Sequence, residues 1–184
     1  MTTDRIQYAD DDVSPIKRLL SLRFPPLLIG LFFGLILSFV VSRFEEVLSQ
    51  NIAVAFFIPF VVYLAAAVGA QTQSIYVRDL KTGRASFKVY LFKETTIGVS
   101  LGLVFSLISA PIIYLWFRSA DLTWAVSLAV LGAIASAPLI ALLVTEVLQI
   151  EHHDPAVGAG PISTVIQDTV SVLIYGAIAS AIIL

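Results

Sequence analysis

Long apolar runs, interrupted by short polar clusters, set the rhythm of this chain. Charge-free windows run Phe24–Ser42, Val47–Val77, Thr95–Phe117 and Leu122–Thr145, and a fifth, Ile162–Leu184, carries one charge, Asp168. Each reaches the roughly 20 apolar residues that cross a bilayer as a helix. The pattern therefore predicts five transmembrane helices and an all-α integral membrane protein. Residues 24–184 read as one five-helix transmembrane domain, with residues 1–23 as the segment before it. In the second window, "NIAVAFFIPFVVYLAAAVGA" is the expected membrane part. The second, fourth and fifth spans are rich in Ala, Gly and Ser, which lets helix backbones approach closely in lipid. Ahead of the first span, "SPIKRLLSLRF" offers Ser14 as N-cap and Pro15 as the first helical residue. Ile16, Leu19 and Leu20 then share a face, with Lys17 and Arg18 turned away, so a short interfacial helix is expected there.

Composition agrees with that reading. The 184 residues are 58% hydrophobic and 13% charged, against about 25% charged in an ordinary soluble domain. The absence of cysteine excludes a disulfide framework, a thiolate metal site and a thiol nucleophile. The polar start "MTTDRIQYADDD" does not resemble a cleavable signal peptide.

Charge placement adds an orientation. Arg5, Lys17, Arg18 and Arg23 precede the first span, and Arg78, Lys81, Arg84, Lys88 and Lys93 join the second to the third. The opposite side holds only Arg43 and Arg118. This asymmetry predicts a multi-pass protein of the cell membrane with its N-terminus in the cytoplasm and its C-terminus outside.

Asp168 is the main candidate for chemistry. A carboxylate in mid-span costs roughly 2.5–3.5 kcal/mol on insertion scales and nearly always faces a bundle interior or a water-filled cavity. At 100° per residue, Thr164, Asp168, Ser171 and Tyr175 fall within an arc of roughly 60°. Oxygen donors with one anion suit a hard cation. Magnesium sheds its water reluctantly and is held by one or two carboxylates while keeping several waters. A single Asp per chain cannot build a dehydrated cage, but it could line a path for a hydrated ion, more so if two chains each supply one. The residues alone do not choose the cation.

Five segments in order then resemble a known family: "LSFVVSRFEEVL", "AFFIPFVV", "GAQTQSIYVRDL", "KETTIGVSLGL" and "DPAVGAGPISTVIQDTVSVLIY". They are similar to the transmembrane domain of the MgtE family of magnesium channels and transporters. The resemblance implies a five-helix subunit acting as a dimer, with the ion path on the symmetry axis between the second and fifth spans. It implies that Asp168 binds hydrated Mg²⁺, the transported ion. Ala66, Ala67, Gly69, Ala70 and Gln71 match the turn whose backbone groups face that ion. The chain departs from the pattern where the family carries asparagines: Ala65, Ala66, Ala67 and Ala70 leave no amide side chain there, and Ser171 stands where glycine is frequent. The family's usual cytoplasmic regulatory region, with paired CBS modules, has no counterpart in residues 1–23. The chain is thus expected to lack that feedback gate or to borrow it from another polypeptide. Homodimer and heterodimer with a second half both remain open, as do a non-conducting partner role and a different cargo: Co²⁺, Zn²⁺ or efflux coupled to Na⁺ or H⁺.

Other candidates are Glu45, matched to the family's Phe-Glu pair and placed with Glu46 at the outer end of the first span, and Glu146 and Asp154, near an inner vestibule. For each, a solvated or snorkelling helix-end acid is the competing reading. Glu94 is expected at the start of the third helix, where the dipole favours an acid. "EHHD" at 151–154 is a poor zinc site, since adjacent histidines diverge and cysteine is absent, and Asp154-Pro155 reads as turn chemistry. No Ser-His-Asp arrangement, phosphate loop or nucleic-acid patch appears, so transport rather than enzymatic conversion is expected, with the lipid bilayer as the surrounding partner.

Overall fold

A computed structural model describes residues 12–184. Six helices follow one another: α1 (Ile16–Ser42), α2 (Glu45–Gln50), α3 (Ala53–Lys81), α4 (Phe87–Phe117), α5 (Ala120–Ile150) and α6 (Pro155–Ile183). Among the described residues there is no strand. Five helices, all but α2, are long and apolar enough to cross a membrane, and the chain is an all-α multi-pass membrane protein.

The long helices span 27 to 31 residues, roughly 40–46 Å at 1.5 Å per residue. They exceed the ~30 Å hydrocarbon layer and outrun the charge-free windows at several ends. Charge does not end a helix, so Arg78 and Glu146, which close two of those windows, are helical, as are Lys81, Lys88 and Lys93. Proline lies inside all five: Pro25 and Pro26 in α1, Pro59 in α3, Pro111 in α4, Pro138 in α5 and Pro161 in α6. Membrane helices tolerate this because neighbouring groups satisfy the freed carbonyls.

Three local expectations change. The short helix expected before the first span is not a separate element, because Ile16–Ser42 is unbroken and its N-cap is Pro15 rather than Ser14. Residues 1–11 of the N-terminal segment, including Arg5, lie outside the described residues. The second window divides into α2 and α3 at Asn51, whose side chain accepts from the Ala53 amide at 3.1 Å. Glu45 and Glu46 consequently open α2 instead of ending α1, and both are exposed.

Helix α5 is the centre of the bundle, packing against α3, α4 and α6. Its Ala125, Ala129, Ala133 and Ala137 are fully buried, a four-residue spacing of small side chains that admits close neighbours. A two-residue link joins α4 to α5. Arg118 there takes the left-handed conformation (φ 52°), and Ser119 caps α5 through the Leu122 amide at 3.2 Å. Across the pair, a Cβ on Gly102 would come within 2.8 Å of the Leu131 carbonyl oxygen. Helix α1 buries no residue and lies along α6, while α3 packs on both α5 and α6. One hydrogen bond locks that last junction, from the Tyr175 hydroxyl to the Val54 carbonyl at 2.8 Å.

Gly102→Ala should therefore lower thermal stability, because overpacking of about 1–3 kcal/mol outweighs the 0.5–1 kcal/mol that alanine gains over glycine in a helix. Gly34→Ala, with nothing within 4 Å of the added carbon, should not. Thermal unfolding of both variants in the same detergent checks the contrast, and equal midpoints would contradict the α4–α5 packing.

Candidate functional site

The junction of α3 and α6 gathers four of the candidate residues, Ala66, Gly69, Ala70 and Thr164. Both helices place small residues there, and the open side of α3 carries Ala70, Gln71 and Ser74, all exposed. Ala66 and Ala67 are half-buried, and Gly69 is buried with its α-carbon side toward Ala137 of α5. A recess of about 100 Å³ lies among α3, α5 and α6, its walls including Ala66, Gly69, Ala70, Ser163, Thr164 and Gln167. Three of the five matched α3 positions thus meet Thr164. Ala67 and Gln71 do not line the recess.

Asp168 is half-buried on α6, and its Oδ1 is enclosed without a hydrogen-bond partner. Among the described residues no basic side chain is paired with it, and no three His, Cys, Asp or Glu side chains cluster to hold a bare metal ion. One chain therefore offers a lone anionic oxygen, a group suited to an ion that keeps its water.

The expected hydroxyl stripe does not form one open face. Thr164 is exposed, but Ser171 is fully buried and accepts from Gln167 Nε2 at 3.1 Å, and Tyr175 is tied to Val54. The arc is correct in angle, yet the neighbours of α6 differ along its length: α3 and α5 close over it beyond Asp168. Gln167 was not singled out from the sequence. Its signal was present, since an uncharged amide four residues before Ser171 still needs partners inside a span. It also donates to the Ala133 carbonyl at 3.3 Å, bridging α6 to α5.

Glu94, Glu146, Asp79 and Asp154 each have a hydrogen-bond partner within the chain. Glu94 lies two turns inside α4, which begins at Phe87, so the helix-start explanation does not apply. It is buried and accepts from the Thr72 hydroxyl of α3 at 2.7 Å. Glu146 accepts from Tyr76, also on α3, at 2.5 Å. Tyr76 stacks on Tyr90 with ring centroids 4.8 Å apart, and the Tyr90 hydroxyl donates to Asp79, which also meets Arg78. Three hydroxyl–carboxylate bonds thus join the ends of α3, α4 and α5. Asp154 caps α6, accepting from the Ala156 amide at 3.0 Å, as its turn chemistry suggested. It also borders a cavity of about 650 Å³ between α1 and the α5–α6 corner, with Glu151, His152 and His153. Glu146 is not among the residues lining that cavity.

Comparison with known proteins identifies the architecture. The family model MgtE, described as a divalent cation transporter, matches residues 58–178. The chain is 30% identical over 164 residues to the magnesium transporter MgtE of Bacillus subtilis, covering 88% of this chain and 36% of that protein. It is 31% identical over 170 residues to the magnesium transporter MgtE of Enterococcus faecalis, covering 91% of this chain and 37% of the relative. The magnesium transporter MgtE of Thermus thermophilus is 26% identical over 149 residues, 79% of this chain and 33% of its own. The chain belongs to the MgtE family and spans about a third of the length of these relatives.

Thr72→Val keeps the side-chain shape and deprives buried Glu94 of its hydroxyl partner, a loss of about 1–3 kcal/mol. Its melting midpoint should fall, and Thr72→Val combined with Glu94→Leu should recover part of the loss because no polar atom is then stranded. A double-mutant cycle by thermal unfolding checks this, and strictly additive losses would mean the bond contributes nothing.

Proposed function

We propose that this chain is the conducting part of a divalent-cation pathway, with magnesium as cargo and Asp168 as the residue that meets the ion. The observation carrying this reading is the enclosed Asp168 Oδ1 that no protein group satisfies, on a helix that packs against α3. A carboxylate so placed is expensive unless a cation or water answers it. Membership in a family described as divalent cation transporters supports the choice of ion class.

In this reading two chains pair about an axis beside α3 and α6, and each contributes one Asp168. Two carboxylates facing a wide, small-residue path suit Mg²⁺ that retains most of its water. Gly69, Ala66, Ala67, Ala70 and Gln71 of α3 then form the facing wall, offering backbone groups where the matched family turn carries asparagine side chains. Ser171, turned into the bundle, supports Gln167 rather than touching the ion. A potential of 100 mV supplies about 2.3 kcal/mol per charge moved, so inward flux of a divalent ion needs no nucleotide. The terminal arrangement that goes with this is an N-terminus in the cytoplasm of a cell whose plasma membrane holds the protein.

Asp168→Asn removes the charged acceptor. With charged hydrogen bonds worth ~1.5–3 kcal/mol, magnesium uptake into proteoliposomes should fall about tenfold or more while the protein still purifies as a folded species. Uptake at the wild-type rate would sink the assignment, and a panel including Co²⁺ and Zn²⁺ in the same assay decides the cargo.

The absence of cysteine makes the orientation testable as well. A single cysteine at Thr82, in the basic connection, should react with an impermeant maleimide only after the cell is opened, and one at Ser119 should react in intact cells. The reverse pattern would invert the topology.

A further inference from the structure

At the corner between α5 and α6 the backbone uses its own donors. The amides of Glu151, His152 and His153 bond back to the carbonyls of Val147, Gln149 and Leu148 at 3.0, 3.2 and 2.9 Å. His152 takes the left-handed conformation (φ 60°) that closes the turn. Helix α1 passes this corner across the cavity of about 650 Å³, a volume within the roughly 300–1,000 Å³ of ligand pockets. At the level of Ile29 and Ile162 the helices close on one another, where a Cβ on Gly30 would lie 3.9 Å from the Pro161 carbonyl oxygen.

The walls of this cavity change character along the helix axes. Ser21 of α1 and Glu151, His152, His153 and Asp154 of the corner form one end. Farther along, about 12 Å from Ser21 and from Asp154 at 1.5 Å per residue, Ile29 and Ile162 form the other. Both helices begin near the polar end. A change from polar to apolar over that depth matches the passage from headgroup zone to hydrocarbon, and so suits an amphiphile better than a water-soluble solute. The polar end also specifies the headgroup. It holds two carboxylates and no lysine or arginine, and its corner amides already donate elsewhere. Proline adds to the acceptors: Pro25 and Pro26 have no N–H to give the carbonyls of Ser21 and Leu22, and all four residues border the cavity. Such a surface is complementary to a group that donates hydrogen bonds and carries positive charge.

We propose that this cavity binds a zwitterionic phospholipid with a primary ammonium headgroup, of the phosphatidylethanolamine class. Its ammonium meets Glu151, exposed at the rim, and the buried Asp154. His152 and His153 offer ring N–H donors to its phosphate, and an acyl chain lies along Pro25, Ile29 and Ile162. A choline headgroup has no N–H to donate, and a glycerol headgroup leaves a net negative charge beside both acids. A bare divalent ion does not suit the cavity, since among the described residues no three His, Cys, Asp or Glu side chains cluster to hold one. The site is separate from Asp168, which does not border the cavity, and is independent of the ion path.

Native mass spectrometry of the purified chain, given phospholipids with matched dioleoyl chains, tests the headgroup. Phosphatidylethanolamine adducts are expected to survive several-fold better than those of phosphatidylcholine or phosphatidylglycerol. Equal retention of all three, as for lipid that only coats the surface, would overturn the site, and so would a preference for phosphatidylglycerol. The double variant Glu151→Gln with Asp154→Asn removes both charges and keeps the cap of α6, since asparagine caps a helix as aspartate does. Its preference for ethanolamine over choline should fall to parity, and a preference as strong as that of the wild type would overturn the proposal. Ser21→Trp, at an exposed wall position, should block the cavity and lower phosphatidylethanolamine retention several-fold. Ser38→Trp, exposed on the same helix and away from the cavity, should not. Equal retention by the two tryptophan variants would equally count against the site.

Discussion

Hydrocarbon offers no hydrogen bonds, so every polar group carried into it must be answered from within the protein. The backbone meets this demand by forming five long helices, and the interior prolines are compatible with it only because other groups lie close. Helix α5 supplies that closeness. Its fully buried alanines draw α3, α4 and α6 to short separation, and Gly102 admits the Leu131 carbonyl where any side chain would collide. Since lipid tails are as apolar as leucine, close packing takes over the role that hydrophobic burial has in water. Small residues at regular spacing are thus the cohesive element here.

The same demand sorts the acidic residues. Asp154 is answered by the start of its own helix, Glu94 by Thr72, Glu146 by Tyr76, and Asp79 by Tyr90 and Arg78. For Glu94 and Glu146 the partner donor is a hydroxyl rather than a cation, which holds a carboxylate in place without adding a second charge to be desolvated. Asp168 differs, because one of its oxygens is enclosed and unanswered. Its neighbours on α6, Gln167 and Ser163, share the condition. That unmet oxygen on Asp168 is the observation on which the proposed pathway rests.

How far this was legible in sequence depended on the kind of signal. Span number and fold class followed from hydropathy, because a membrane imposes a length that soluble folds do not. Asp168 stood out because charge in a span is costly whatever surrounds it. Helix ends were less readable: Ile16–Arg23 joins α1 and Lys88–Glu94 joins α4, since headgroup-zone charges do not terminate a helix. Partners were not readable. Glu94 and Thr72 are 22 positions apart, and nothing in either local pattern pairs them. The stripe from Thr164 to Tyr175 shows the same limit, because periodicity gives the angle of a side chain and the neighbouring helices decide what that angle faces.

The alanines of α3 look at first like a loss of function, since amide side chains are absent where the family pattern has them. On the proposed reading they suit a cargo that keeps its water. A hydrated ion is larger than a bare one and needs width before it needs ligands, and its outer shell exchanges hydrogen bonds with any suitable oxygen at the wall. Ala66 and Ala70 widen the groove, and the recess they help to form ends on Gln167 and Ser163 of the opposite helix. In the pathway proposed above, discrimination among divalent ions rests on how firmly each holds its shell of water, a property in which Mg²⁺ exceeds Ca²⁺.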